Sequence, residues 1–526
     1  MANPSLQIGN SNWAIKEDNL LGYSTAGTRF VPQPITMTRE SAGTRVNSSG
    51  LVETVELLGS DLTSPLNFLS DWVATFGVST TSNTFTVSGA GAGVYFILPE
   101  NKTLKINVSG VTGSVELRYR TTTGGAGTVL GDFDTDLYLT TTNATTNIYL
   151  RATAGGTVSV TNVSVKESTK NNLARVDYDG TASSLLVEPE RTNLITYSED
   201  FSQWSATAIG TTLSVSTVIS PDGGQNAYKL KADGTNLFAR VDDVLSITSG
   251  DNIFYSVFLK KSDTHNIATI RINGTNIGSS ANNSTYEFDF STETISRRTG
   301  GTAISTLVQN VGNGWYRVGI ELSNSTITSA SIYPSFNDAN GGEVLIWGAQ
   351  LEEGSYATSY IPTDGGTVTR VQDQYSKTGI SNLINSEEGV LFAEMSVLSD
   401  DSTLKSITLS DGTGGNRVII NYSNASNRLT ADVRVGAVGQ AFMQTYSYTI
   451  TNFLKIALKY KENDFALWVN GTEVATDTSG STFSANTLNR LGLDNGASGE
   501  LLFGKVKQLQ VFKTALTDSE LIALTT

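Results

Sequence analysis

Leu104-Lys105-Ile106-Asn107-Val108 alternates apolar and polar side chains at every step, and the same period returns along the chain. Phe85-Thr86-Val87, Val115-Glu116-Leu117-Arg118-Tyr119 and Val158-Ser159-Val160 repeat it. A period of two puts successive side chains on opposite faces of an extended strand, so each run buries one face and wets the other. Gly, Thr, Ser and Asn separate the runs, and these residues favour turns. With 50 Gly against 9 Pro and only 16% charged residues, little is left from which to build long amphipathic helices. The expected class is all-β: tandem antiparallel β-sandwiches of the jelly-roll kind, preceded by an irregular N-terminal attachment segment.

At 526 residues the chain exceeds what one core supports, so several modules are expected. Residues 1–56 lack a strand rhythm and are expected to be a connector that orders against a partner. Residues 57–169 read as one sandwich, opening on Phe68 and Trp72 and closing on Val158 to Glu167. A second module, 170–362 with its opening segment, repeats those ends: Phe201 and Trp204 echo the opening, and Val344 to Glu353 echo the closing strand. Residues 363–388 read as a linker. In the third module, 389–526, Phe465 to Val474 is a strand, an Asn-Gly turn and a return strand. Thr517 and Glu520 there have the spacing of a capping box for one short helix.

Charge and composition exclude several functions. Lys+Arg 35 against Asp+Glu 50 leaves a net charge of −15 and no basic block, which disfavours nucleic acid as a partner. Cysteine is absent, which removes disulfides and thiolate chemistry and favours assembly in a reducing cytoplasm. No apolar run approaches the roughly 20 residues that cross a bilayer, so membrane insertion is not expected. Met1 to Trp13 has no evident secretory signal.

Three sets of phrases carry a resemblance. Thr38 to Glu53 reads as though it should run directly into Leu173 to Tyr178 and Leu185 to Leu194, yet more than a hundred residues intervene. Leu194 to Phe201, Ser220-Pro221-Asp222-Gly223, Gly314 to Val318, Trp347 to Glu352 and Ser359 to Pro362 form the second set. The third is Leu467-Trp468-Val469-Asn470-Gly471 with Ala515 to Leu521. Together they resemble bacteriophage virion structural proteins of the tail-fibre or head-fibre type. The second set is similar to their carbohydrate-binding-module-like jelly rolls, and the third to concanavalin-like, laminin-G-type sandwiches. The resemblance implies a non-enzymatic protein on the virion surface that recognises host cell-surface glycans and contacts other virion proteins through its N-terminal segment. It also implies a homo-oligomer, most simply a trimer. The alternatives are a purely structural decoration, a polysaccharide-degrading enzyme and a secreted adhesin.

The candidate site residues follow from strand parity. Phe465, Leu467 and Val469 share one face, so Trp468 and Asn470 point the other way. An outward Trp is either a sugar platform or lies beneath a loop or a neighbour, and Tyr446 and Tyr448 could extend the same surface. Asp132, Asp134 and Asp136 alternate in one loop, with Asp400, Asp401 and Asp411 elsewhere; a structural calcium is possible there, although no EF-hand loop exists. His265 is the only histidine and sits in a polar loop, so a catalytic triad is not expected. Glu287-x-Asp289-x-x-x-Glu293 is one residue too long for the strand motif of concanavalin-type glycosidases.

Overall fold

A computed structural model describes residues 2–10, 13–16, 19–26, 29–121, 125–142, 146–204, 206–248, 250–277, 281–323, 326–338 and 342–526. The chain forms two compact units, residues 56–170 and residues 1–55 together with 171–526. Both are antiparallel β-structure, and the all-β expectation holds.

In the unit of residues 56–170 the alternating runs behave as strands. Thr103–Ser109 buries Leu104, Ile106 and Val108 while Lys105 and Asn107 reach outward. It pairs with Asn162–Thr169, setting Ile106 against Val165 and Val108 against Val163. Phe68, Trp72 and Phe85 close the core in edge-to-face contacts with ring centroids 5.2 and 6.0 Å apart.

The larger unit contains a jelly roll of two six-stranded sheets. Arg240–Thr248, Thr326–Tyr333, Ile267–Ile277 and Ala281–Asp289 are central in one sheet. Tyr228–Ala232, Glu343–Glu353, Ile253–Lys261 and Trp315–Leu322 are central in the other. Val241, Ile270, Ile272, Val257, Val318 and Ile346 fill the space between them.

The C-terminal sandwich recruits strands from far upstream, which corrects two expectations. Most of the described residues before 56 are strand, not irregular chain. Leu6–Gly9 pairs with Gly504–Phe512, setting Leu6 against Val511 and Ile8 against Leu509. Arg29–Thr38 pairs with Gln374–Lys377 on the other sheet. Leu6, Ile8, Leu20, Ile35 and Met37 are core residues of this sandwich. Leu6–Gly9 is four residues long and its partner lies hundreds of residues away, so no local period announces it; Asn19–Ala26 and Arg29–Thr38 instead pair with each other as a hairpin. Ordering on the chain's own core also removes the need for a partner chain to fold them. The stretch 363–388 is likewise more than a linker: Val368–Arg370 pairs with Arg191–Asn193, and Gln374–Lys377 joins the sandwich.

The interrupted phrase is rejoined in space. Arg39 N donates to Asn172 Oδ1 and Asn172 N to Arg39 O, each at 2.8 Å. Arg39 Nη1 meets Asp373 Oδ1 at 2.8 Å, Arg175 bridges Asp373 and Glu188, and Arg370 Nη1 lies 3.0 Å from Glu188 Oε2. All five side chains are essentially inaccessible to solvent. Burial alone would raise the Glu188 carboxyl, but Arg370 and Arg175 outweigh it and hold the group well below the usual carboxylate range. Asp373→Ala should lower unfolding stability by about 3–5 kcal/mol, because it strands the buried Arg39 guanidinium and leaves Arg175 with Glu188 alone; urea denaturation monitored by tryptophan fluorescence measures this.

Candidate functional site

The phrases of the jelly roll converge on Asn226. Its Nδ2 donates to Glu199 Oε2 at 2.9 Å and to Asp222 Oδ2 at 3.3 Å. Its Oδ1 accepts from Trp347 Nε1 at 3.1 Å and from Ser220 Oγ at 2.6 Å. The Tyr360 hydroxyl reaches Ser198 Oγ at 2.6 Å and Glu199 Oε1 at 3.0 Å, and its ring packs 4.7 Å from that of Trp347. Beneath them Phe258, Trp315 and Trp347 form a buried apolar floor, with Trp315 Nε1 donating to Ile219 O at 2.9 Å.

Local chemistry explains the placement. Ser220 N donates to Gly224 O and Gly223 N to Ser220 O, closing a turn in which Gly223 has φ +87°, a conformation that excludes most side chains. Asp222 Oδ1 accepts from Gly224 N at 3.0 Å. Asp200 caps the turn Phe201–Gln203 by accepting from Ser202 N, and it also accepts from the Tyr228 hydroxyl at 2.6 Å.

In front of this cluster lies a cleft of about 470 Å³, lined by Glu199, Asp200, Gln225, Asn226, Tyr228 and Asp364 together with Val215, Pro362 and Thr363. Its size is within the range of small-ligand sites. Carboxylates accept hydroxyl protons, the amides both donate and accept, and the half-buried Tyr228 ring supplies an apolar edge. Burial, reinforced by the Asp222 and Asp364 carboxylates, pushes the Glu199 carboxyl up to about 7. Tyr360 and Asn226, which donate to the Glu199 carboxylate, pull the other way but do not offset the burial.

The residues expected from the sequence do not assemble into a site. Trp468 is 5% exposed and packs with Phe392, Phe512, Leu516 and Leu521 beneath the C-terminal helix Asp518–Thr525. It faces away from the main core, as parity requires, but the helix covers that face, so it is not a sugar platform. Asn470 has φ +48° in the Asn-Gly turn and accepts from Lys455 N at 2.9 Å. Tyr448 packs against the core and its hydroxyl donates to Val469 O at 3.2 Å. Tyr446 is 54% exposed, with the Arg428 guanidinium 5.8 Å from its ring centre.

The acidic candidates serve their own loops. Asp136 pairs with Lys105 at 2.9 Å, Asp134 Oδ1 accepts from Gly110 N at 3.0 Å, and Asp132 contributes its backbone oxygen to Thr135 Oγ1. They form no joint set of cation ligands: among the described residues no group of three acidic or imidazole side chains is placed to hold a metal ion. Asp401 pairs with Lys405, Asp400 accepts from Asn427 N, and Asp411 accepts from Thr413 N. His265 Nδ1 lies 3.3 Å from Asp263 Oδ2 in a surface loop. Glu287 pairs with Arg298, Asp289 accepts from Ser291 N, and Glu293 accepts from the Tyr316 hydroxyl.

Glu199, Asn226, Tyr228 and Asp364 were not singled out from the sequence, although Glu199 lies inside a recognised phrase and Asn226 and Asp364 lie within three residues of one. Their signal was the clustering of those phrases, which needs the fold to be seen. A larger groove of about 720 Å³ is lined by Glu190, Arg191, Asp251, Glu353 and Asp401 among others, and has no aromatic ring in its walls.

The Concanavalin A-like lectin/glucanases superfamily, through its third laminin-G family, matches residues 393–522. No curated protein matches the chain. Among solved structures, a CBM40 module of the Ruminococcus gnavus IT-sialidase bound to α2,3-sialyllactose is 22% identical, over 27% of this chain and 83% of that one, with a TM-score of 0.24. The tandem CBM22-1–CBM22-2 of Paenibacillus barcinonensis Xyn10C is 10% identical over 57% of this chain and 98% of that one, with a TM-score of 0.22. Domains LG4-5 of the mouse laminin α1 chain are 10% identical over 53% and 87%, with a TM-score of 0.19.

Two measurements check these assignments. Trp468→Ala should cost about 3–5 kcal/mol of stability, as large-to-small core substitutions do; thermal unfolding of the variant reads this. Glu199 has a folded pKa above its ordinary 4.5, so the folded state binds the extra proton. Its contribution is therefore fully present below about pH 4.5 and is lost as pH rises through about 7. Glu199→Gln should flatten that dependence and raise stability at pH 8 by about 1 kcal/mol, a value reduced for the group's partial exposure; melting curves between pH 5 and pH 8 test it.

Proposed function

We propose that this chain is a non-enzymatic, glycan-recognising structural protein displayed on the surface of a bacteriophage particle, with the cleft around Glu199, Asn226 and Tyr228 as a binding site for host saccharide. The observation that carries the reading is the cleft itself: a concave, half-apolar site whose amides and carboxyls are already held in place by Trp347, Tyr360 and Ser220. Saccharide hydroxyls need donors and acceptors fixed before the ligand arrives, and this wall supplies them without reorganisation. The match of residues 393–522 to a lectin and glucanase superfamily supports saccharide recognition as the broader role. The phage setting rests on the ordered phrases from Thr38 to Pro362. Display on a multivalent particle would turn one modest cleft into useful avidity.

A non-catalytic role fits the carboxyl groups. Glu199 is tied to Tyr360 and Asn226, Asp200 to Tyr228 and Ser202, and Asp222 to Gly224 and Asn226, so each acts in holding the wall.

Gln225 and Asp364 are exposed on the rim, so replacing both with Ala should leave stability within about 0.5 kcal/mol. Retention on a glycan array of bacterial surface polysaccharides should fall tenfold or more. Unchanged retention by the doubly substituted protein would reject the cleft as the binding site.

A further inference from the structure

Seven ionisable side chains lie fully inside the seam where the jelly roll meets the C-terminal sandwich. Arg39, Arg175, Arg317 and Arg370 are 5% exposed or less, as are Glu188, Glu352 and Asp373. Four guanidinium groups against three carboxylates leave one positive charge in excess. Arg39, Arg175 and Arg370 each meet a carboxylate at 3.0 Å or closer.

Arg317 meets none. Its Nη1 donates to Thr358 O at 2.6 Å, and its Nε and Nη2 donate to Ser256 Oγ at 3.2 and 3.0 Å. The Phe258 ring centre lies 5.5 Å from its Cζ. Glu352, the remaining carboxylate of the set, is engaged by Gln350 Nε2, Thr358 N and Thr358 Oγ1, with Arg191 Nε 4.0 Å from its Oε2. A guanidinium carries five N–H groups, and these bonds use three. Glu352 and Glu188 favour its charge from beyond ion-pair distance, but burial outweighs them, and a buried charge without a carboxylate in direct contact is costly.

Arg317 also borders a crevice of about 120 Å³. The other charged groups on its walls already have counter-charges. Arg45 is 2.8 Å from Glu53, Lys505 is 2.7 Å from Asp177, and Glu188 holds Arg175 and Arg370. The Arg317 guanidinium is thus the one charged wall group, among the described residues, without a counter-charge within 4 Å.

We propose that the crevice holds a small monoanion, chloride or a carboxylate of formate's size, on the unused N–H groups of Arg317. The ion completes the charge balance of the seam. Residues of the jelly roll, the upstream segment and the terminal sandwich all line the crevice (Arg317 and Thr358, Thr44, and Leu398 and Lys505 respectively), so the ion fastens three parts of the chain at one point. The proposal is independent of glycan binding.

The test uses the full chain. Its melting temperature is measured in sodium chloride, sodium formate and sodium gluconate, from 10 to 300 mM at matched ionic strength. Chloride or formate should raise it by a few degrees in a saturable way, as binding to the native state alone requires, while gluconate is too large to enter. The more effective of the two small ions identifies the chemistry. Arg317→Gln should abolish the difference between the salts. If that variant does not fold, wild-type crystals soaked in bromide should show an anomalous peak within hydrogen-bonding distance of an Arg317 Nη atom. Identical melting temperatures in all three salts, or bromide peaks everywhere but the crevice, would overturn the proposal.

Discussion

The buried contact between Asp373 and the pair Arg39 and Arg175 is the constraint on which the larger unit depends. Asp373 comes from the segment between jelly roll and terminal sandwich, Arg39 from the upstream strands, and Arg175 from the point where the chain resumes after residues 56–170. Glu188 N also donates to Asp373 Oδ2 at 2.9 Å, which draws in the strand leading to the jelly roll. Replacing such a cluster with apolar side chains would often be energetically neutral. Removing one partner is another matter, because it leaves an uncompensated charge in the interior where four distant segments meet.

That constraint explains why a whole domain can be inserted at residue 56. The flanks are tied by Arg39 and Asn172, by Val46 N donating to Asp177 Oδ1 at 2.8 Å, and by Arg45 reaching both Glu53 and Val176 O. None of these bonds uses residues 56–170. An insertion between chain ends already held together adds little closure entropy to the parent fold.

Strand-rich class and module content were legible because alternation is local: Leu104 to Val108 and Phe465 to Val469 announce themselves within five residues. Parity even placed Trp468 on the correct face. What covers that face was not legible, since the helix Asp518–Thr525 is positioned by packing against Trp468, not by its spacing in the sequence. The upstream strands failed for a related reason. Leu6 and Ile8 are two apolar residues in a polar stretch, and their meaning depends on Val511 and Leu509. The cleft was half visible: its phrases were recognisable, but their convergence on Asn226 is a tertiary fact.

The pairing of Leu6–Gly9 with Gly504–Phe512 has a consequence for synthesis. The first strand leaves the ribosome about five hundred residues before its partner, a wait of roughly 25–100 s at ordinary elongation rates. Residues 56–170 and the jelly roll can close during that interval, because their strands pair among themselves. The terminal sandwich cannot. It is completed last, by a partner that arrives post hoc, and until then its edges are exposed to neighbouring nascent chains. A polysome producing this protein therefore carries a row of incomplete sandwiches, all of them lacking at least the closing strand.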